Sequence, residues 1–164
     1  MKTLTLPLSK NMEVTIDIED KNLVSDYKWY AHKGTSGYYA ATMIRNNDGS
    51  RGRIFMHRLL NNTPEGHETD HINHNTLDNT RSNLRTVTKS QNQHNTRLRK
   101  DSVSGFKGVG WHKATNKWRT RINKDGVTVF TAYFSTKIEA AKAYDTKAKE
   151  LFGNYAKLNF EGDK

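Results

Sequence analysis

Apolar and polar residues alternate along the first third of the chain. Val14, Ile16 and Ile18 occupy every second position, the spacing of a strand with one buried face. Two further stretches, Asp26–Tyr30 and Tyr38–Ile44, are rich in aromatic and apolar residues and predict additional strands. The pattern therefore predicts a sheet-rich N-terminal region.

A polar loop, Arg45–Arg53, follows these strands. The dipeptide Asp48-Gly49 suits the positive-φ positions of a tight turn, so the loop is predicted to close a hairpin. Its three arginines carry positive charge to the tip, where contact with a nucleic-acid backbone and plain solvation are both open interpretations.

The segment 68–95 concentrates aspartate, asparagine and histidine. Its pattern predicts the strands Glu68–Ile72 and Leu84–Val87 and a helix through Gln91–Arg99, capped by Thr88 or Ser90. In a strand–loop–strand–helix unit, the end of the first strand lies against the first turn of the helix. We therefore expect three side chains to converge: Asp70, His71 and Asn92.

The C-terminal third predicts a different unit. Three strand-like stretches, Gly108–Lys113, Lys117–Asn123 and Val127–Phe134, precede a helix from about Thr136 to Phe152. Thr136 and Glu139 have capping-box spacing, and Gly153 follows as a C-terminal cap. These features predict a three-stranded antiparallel sheet packed on one α-helix, so the whole chain belongs to the α+β class.

The net charge of the chain indicates which classes of molecule it can bind. The 164 residues carry a formal net charge of +10, and the pI is near 9.8. Between Arg97 and Lys124 there are nine basic residues and one acid. Such an excess attracts a polyanion, nucleic acid first and an anionic membrane second. The chain has no basic amphipathic helix and no apolar span of about 20 residues, so we expect no membrane partner.

The chain contains no cysteine. Disulfides and thiolate-bound zinc are excluded, a reducing cytoplasmic location is expected, and His, Asp, Glu and Asn remain as metal ligands. A zinc site built from His67, His71 and His74 lacks both cysteine and helical spacing, so no zinc is expected. The N-terminus has no continuous apolar run, so a signal peptide is not expected either.

The polar segment suits phosphodiester hydrolysis. That reaction needs a base to activate water and a cation to neutralise charge on the phosphate and the leaving oxygen. Mg²⁺ (or Mn²⁺) prefers oxygen ligands, which an aspartate and an asparagine supply. An imidazole with a pKa near ~6.5 acts as a base close to neutral pH.

Three motifs carry a specific resemblance: Asp70-His71-Ile72, Asn83-Leu84-Arg85 and Ser90-Gln91-Asn92. Together with Met56–Leu59 and Pro64–Gly66, they resemble the HNH (ββα-metal) nucleases, in the form found in phage and intron-encoded homing endonucleases. The resemblance implies that His71 is the general base, that Asp70 and Asn92 bind the metal, and that Asn83 hydrogen-bonds across the loop to orient the site. It also implies duplex DNA as the substrate, in the cytoplasm of a bacterial or phage-infected cell.

A second resemblance covers Ser104–Phe160. The motifs Ser104–Trp111, Lys117–Ile122, Tyr133-Phe134, Glu139–Asp145 and Asn154–Phe160 are similar to an APETALA-two/ERF-type DNA-binding domain. Alternation along the second strand directs Arg119 and Arg121 away from the helix, and a β-sheet can enter the major groove. Gly110 stands where the plant domains often have arginine, so plant-type sequence preference is not transferred. The DNA-contact candidates are Lys107, Trp111, Lys113, Lys117, Arg119 and Arg121.

The resulting hypothesis has two modules. Residues 1–100 form the HNH endonuclease module with core motif 57–97, residues 101–104 a linker, and residues 105–164 the DNA-binding domain. Its rivals are a non-catalytic DNA-binding regulator on a degenerate HNH scaffold, and an RNA-binding or RNA-cleaving protein. His57 is open between support of the site and packing, while His94 and Asn95 are minor candidates for added contacts. Monomer and homodimer also remain open.

Overall fold

The structure is a computed structural model that describes residues 2–96, residue 98 and residues 102–160. The chain divides into two compact units, Met1–Thr88 and Lys89–Lys164, and each is described by itself. The fold is a mixture of small antiparallel sheets and few helices. In these described ranges no helix has the length and apolar character needed to cross a membrane.

The first unit begins with a strand pair. β1 (Thr3–Pro7) lies antiparallel to β2 (Glu13–Asp17), and a short helix α1 (Lys21–Val24) follows. Val14 and Ile16 are fully buried, as their alternation predicts. Ile18 departs from the prediction: it begins a 3-10 turn, and 44% of it is exposed.

A three-stranded antiparallel sheet comes next, in the order β3–β4–β5. Its strands are β3 (Tyr30–Lys33), β4 (Tyr38–Arg45) and β5 (Arg51–Phe55). The prediction of a strand over Asp26–Tyr30 is wrong except at its last residue, since β3 starts at Tyr30. Trp29, just before it, is instead held by a hydrogen bond that its indole Nε1 donates to the Val24 carbonyl at 2.9 Å. The predicted hairpin turn is confirmed, with Gly49 at φ +82°.

The first unit ends with the helix α2 (Met56–Leu60) and the strand pair β6 (Glu68–His71) and β7 (Leu84–Val87). This antiparallel pair matches the predicted strands, and its register sets Asp70 opposite Arg85. The core of the unit is formed by apolar side chains from most of these elements: Leu8, Val14, Ile16, Val24, Ala31, Ala40, Met56, Leu60 and Leu84.

The second unit opens with the short helix α3 (Lys89–His94). The predicted helix reached Arg99; the observed one ends at His94, while Arg97 and Arg99 lie outside the described residues. Asp101, the first residue of the predicted linker, lies outside them too. Ser104 at its other end is buried, and its hydroxyl donates to the Val109 carbonyl at 2.8 Å.

The rest of the second unit is the predicted sheet and helix. The strands β8 (Val109–His112), β9 (Lys117–Lys124) and β10 (Val127–Phe134) form an antiparallel sheet in the order β10–β9–β8. The helix α4 (Lys137–Phe152) packs against it and begins with the predicted capping box at Thr136. Its core contains Ile122, Tyr144, Ala148, Phe130 and Leu151.

Candidate active site

Asp70 and His71 lie at the end of β6, where the strand pair turns into its polar loop. Both are buried: 7% of Asp70 and 5% of His71 are exposed. Buried polar side chains are stable only when they have hydrogen-bonding or ionic partners. The partners of these two residues therefore define the site.

Arg85 is the ionic partner of Asp70. The register of the strand pair places it directly opposite, and its Nε and Nη2 both donate to Oδ2 of Asp70, at 2.9 and 2.7 Å. Two donors on one carboxylate oxygen fix the side chain in place and balance its charge in a poorly solvated position. Arg85 belongs to the Asn-Leu-Arg motif, but no role for it was predicted.

Asn79 is the hydrogen-bond partner of His71. The imidazole Nε2 lies 2.8 Å from Oδ1 of Asn79, whose side chain is fully buried. Because Oδ1 is an acceptor, the ring carries its proton on Nε2, and Nδ1 holds the lone pair that can take a proton. Burial is the largest influence on His71 and lowers its pKa, against the opposing effects of Asn79 and Asp70.

Asn79 is itself held by the backbone of β2. Its N–H donates to the Thr15 carbonyl at 2.7 Å, and the Thr15 N–H donates to the Leu77 carbonyl at 2.9 Å. Two residues further on, Arg81 forms an ion pair with the buried Asp20 at 2.6 Å. The polar loop is thus attached to the N-terminal strands, which is how Asn79 comes to face His71.

Asn83 spans the same loop. Its Oδ1 accepts from the Asn73 backbone N–H at 2.9 Å, and its Nδ2 donates to the Asp78 carbonyl at 2.7 Å. Asn83 therefore ties the two sides of the loop together. Asn79, which hydrogen-bonds His71, was missed by the sequence interpretation, because its position beside Asp78 in an Asn/Asp-rich loop gave no distinguishing signal.

Aromatic rings surround His71 on its other side. The His57 ring lies 5.1 Å from it, and Phe55 stacks on His57 at 5.5 Å. Tyr39 contacts the same cluster, 6.2 Å from His71. Burial lowers the pKa of His57 to about 3, so His57 is neutral near pH 7 and adds no charge beside His71. His57 thus packs in a ring cluster and also lies beside His71, so its position fits both alternatives that the sequence left open.

The remaining predicted active-site residue, Asn92, lies on α3 in the second unit. Its pairing with Asp70 as a metal-binding set stays a prediction. His94, a minor candidate, stacks on Phe152 with ring centroids 3.6 Å apart, which gives it a packing role. Within the described ranges there is no cluster of three or more His, Cys, Asp or Glu side chains suited to a metal ion.

That finding is compatible with magnesium. Mg²⁺ commonly takes only one or two carboxylates from the protein and keeps several waters. Asp70 is a hard oxygen donor in a buried position, and the Asn92 amide is a second oxygen donor in the chain. The donor chemistry therefore fits a divalent cation of the magnesium type.

The DNA-contact candidates of the second unit do not all lie on one surface. Arg119 and Arg121 point to the same side of β9 as Lys117, opposite the buried Thr120 and Ile122, as the alternation predicted. His112 and Tyr133 lie on that side as well, beside Lys117 and Arg119 in the register, and were not predicted. We call this exposed side the β9 face.

Lys107, Trp111 and Lys113 lie elsewhere. The Lys107 ammonium donates to the His94 and Thr96 carbonyls at 2.6 and 2.9 Å, and burial lowers its pKa to about 8. Trp111 pairs with Trp118 and so lies on the helix side of the sheet, at its edge and 47% exposed. Lys113 is exposed in the turn after β8.

Comparisons with known proteins match the segment that contains these residues. Residues 62–94, which contain Asp70, His71, Asn79, Asn83, Arg85 and Asn92, match the family described as HNH endonuclease. A protein of Acanthamoeba polyphaga mimivirus, named Uncharacterized HNH endonuclease L560, is 33% identical over 150 residues, which are 88% of this chain and 73% of the relative.

A second relative is Protein 3.8 of Escherichia phage T7. It is 35% identical over 63 residues, which are 38% of this chain and 52% of the phage protein. The match thus spans about half of that relative's length. No solved structure matches the chain.

Proposed function

The chain belongs to the HNH endonuclease family, and on that premise we propose that it hydrolyses phosphodiester bonds of duplex DNA through Asp70 and His71. One observation carries the proposal: a buried histidine, oriented through Nε2 by Asn79, stands next to a buried carboxylate. A base and an anionic oxygen ligand at the end of one strand are the two groups that metal-assisted hydrolysis requires.

His71 acts as the general base. Its Nδ1 takes a proton from water while Nε2–H keeps donating to Oδ1 of Asn79, so the imidazolium that forms remains hydrogen-bonded. The water oxygen forms a new bond to phosphorus, the bond from phosphorus to the 3′ oxygen breaks, and the leaving 3′ oxygen takes a proton from solvent water. The imidazolium then returns its proton to solvent. The products are a 5′-phosphate and a 3′-hydroxyl, as the family resemblance implies.

Asp70 and Asn92 would hold Mg²⁺ or Mn²⁺, as the family resemblance implies. The bound cation supplies charge neutralisation at the phosphate and at the leaving 3′ oxygen. Arg85 keeps the Asp70 carboxylate in a fixed orientation, and it balances the carboxylate's charge. Asn83 orients the loop that carries Asn79.

The second unit would bind DNA. Its sheet and capped helix support the proposed APETALA-two/ERF-type domain, with the β9 face as the contact surface. Lys117, Arg119 and Arg121 present positive charge there, and this arrangement is suited to phosphates and guanine edges. A nuclease unit with a separate DNA-binding unit is consistent with a homing endonuclease of a phage or bacterial mobile element.

Cleavage of supercoiled plasmid tests the proposal. With Mg²⁺ or Mn²⁺ the protein should convert supercoiled DNA to nicked or linear forms, and EDTA should prevent it. His71→Ala should lower the rate by about 10²- to 10⁴-fold, the usual contribution of a general base. His67→Ala is the matched control, because His67 is exposed and outside the site.

Two results would contradict the proposal. Wild-type protein that never cuts with either cation would leave the non-catalytic DNA-binding interpretation. Equal cleavage by the His71→Ala and His67→Ala variants would show that the base lies elsewhere.

A further inference from the structure

The sheet β3–β4–β5 has one face turned away from the core. Register places Arg45 opposite Arg51 and Met43 opposite Arg53, so these four side chains share one side of the sheet. The opposite side carries Ala31, Ala40 and Tyr38 into the hydrophobic core. We call the open side, with Arg45, Arg51, Arg53 and Met43, the arginine face.

The charge on this face is exposed and uncompensated. All three arginines are exposed, and Met43 between them is 50% exposed. In the part of the chain that the structure describes, none of the three guanidinium groups forms an ion pair. Three guanidinium groups on one twisted sheet surface favour a ligand with repeated negative charges over a single anion.

The arginine face is continuous with the candidate active site. Arg53 donates from Nε to the Tyr30 hydroxyl at 3.2 Å, and its Nη1 lies 3.3 Å from Nε2 of His32. The His32 ring lies 5.6 Å from Phe55, Phe55 lies 5.5 Å from His57, and His57 lies 5.1 Å from His71.

A row of ring contacts therefore leads from the arginines to the proposed base within the first unit. A phosphate chain bound along the arginines would run toward His71.

We propose that the arginine face binds the phosphate backbone of duplex DNA next to the bond that is cut. The nuclease unit would then position its own substrate, independently of the β9 face. The choice of DNA as the polyanion rests on the proposed function, whereas the surface itself rests on the register and the exposed charges.

Salt-dependent binding is the first test. The full-length Arg45→Gln/Arg51→Gln/Arg53→Gln variant and a matched control, Lys2→Gln/Lys21→Gln/Lys28→Gln, lose the same charge at exposed positions of the first unit. Binding to a fluorescent duplex is measured in EDTA, so that no cleavage occurs. Log affinity falls linearly as log salt rises, and each lost phosphate contact reduces the magnitude of that slope by about 0.9.

We expect the magnitude of the slope to decrease by about 2 to 3 in the arginine variant and by less than about 1 in the lysine control. Equal changes in both variants would overturn the proposal, because they would reflect net charge alone.

A unique cysteine gives the second test, since the chain has none of its own. Met43→Cys carries a photocrosslinker into the centre of the arginine face, and Ile18→Cys, similarly exposed but outside the sheet, is the control. We expect duplex DNA to cross-link to the Met43→Cys protein and not to the Ile18→Cys protein.

Equal cross-linking of the two proteins, or cross-linking of Met43→Cys to RNA but not to duplex DNA, would overturn the proposal. Since the assay contains EDTA, its outcome is separate from activity. If the protein cross-links to DNA but never cuts plasmid, DNA binding by the arginine face is supported and the proposed nuclease activity is contradicted. If it cuts plasmid without cross-linking, the nuclease activity is supported and DNA binding by the arginine face is contradicted.

Discussion

At the scale of single residues, the contact between Asn79 and His71 bears directly on the proposed role of His71. A neutral imidazole has two tautomers. The hydrogen bond that one ring nitrogen makes selects between them, and so decides which nitrogen can accept a proton. Asn79 is fully buried and anchored to Thr15, so it has little freedom to release the ring. We therefore regard Asn79 as a positioning residue for the proposed base.

This assignment makes a prediction for Asn79→Ala and Asn79→Asp. The alanine variant should lose the preference for the Nε2–H tautomer of His71 and should cut DNA about 10- to 100-fold more slowly, as is typical when an orienting partner is removed. The aspartate variant keeps an acceptor and should retain the tautomer. The lost amide Nδ2 has no hydrogen-bond partner among the described residues, so the change to aspartate removes no bond there.

Nitrogen-15 NMR of the histidine rings in metal-free protein measures the tautomer directly, and plasmid cleavage measures the rate. Asn22→Ala, an exposed change outside the site, is the control. If Asn79→Ala kept the wild-type tautomer, the positioning role would be wrong, whatever happened to activity.

At the scale of elements, α4 packs on the sheet of the second unit with one glycine in close contact. Gly108 has φ +73°, and a Cβ at this position would lie 2.2 Å from the ring of Tyr144 on α4. Its carbonyl also accepts from the Arg121 N–H at 2.9 Å. Gly108 thus allows the chain to enter β8 directly beneath the helix, on the side of the sheet opposite the β9 face.

Gly108→Ala should therefore destabilise the second unit. The positive φ costs about 1–2 kcal/mol and the clash about 1–3 kcal/mol more, so we expect a loss of about 2–5 kcal/mol in the free energy of unfolding. Gly126→Ala is a matched control, because Gly126 has φ +82° with no atom within 4 Å. Gly126→Ala should lower the free energy of unfolding only by the cost of the positive φ, about 1–2 kcal/mol.

Denaturant unfolding followed by tryptophan fluorescence provides the measurement, since Trp111 and Trp118 lie in this unit. Similar losses for the two variants would mean that Tyr144 moves aside without cost, and the close packing of Gly108 on α4 would not be important for stability.

At the scale of the whole molecule, positive charge is distributed over both units. The net charge of +10 favours long-range attraction of DNA, but it does not distinguish one surface from another. The arginine face and the β9 face present exposed arginines or lysines on separate sheets. The proposed functions divide accordingly, with substrate held near the cut by one unit and DNA recognised by the other.

The DNA-binding role proposed for the second unit predicts the behaviour of Arg119→Ala and Arg121→Ala. Each should weaken duplex binding and lower the salt slope by about 0.9 if its guanidinium contacts a phosphate. If it contacts a guanine edge, affinity should fall by about 1–3 kcal/mol at that base position, with relaxed specificity. Equilibrium binding over a salt series distinguishes the two.

Lys142→Ala on the exposed side of α4 is the control, since α4 packs against the other face of the sheet. If Arg119→Ala and Arg121→Ala bound DNA as tightly as the control, the assignment of the β9 face as a DNA-contact surface would be wrong.

The sequence by itself determined most of the local structure. Period-two alternation predicted β2 and β9 with the correct buried sides, and turn residues and capping residues predicted the hairpin at Gly49 and the start of α4. Alternation failed at Ile18, where the chain turns. These features depend on neighbours in sequence, so the sequence pattern carries them directly. The family motif was recognisable for the same reason.

Only the tertiary structure decided which residues contact the proposed site. Asn79, Arg85 and His57 reach Asp70 and His71 through strand register, loop attachment and ring packing. It also separated Trp111 from Arg119, because strand pairing put them on opposite sides of one sheet. A hydrogen bond requires its atoms within about 3 Å, and residues distant in sequence meet that condition only when the intervening chain has folded.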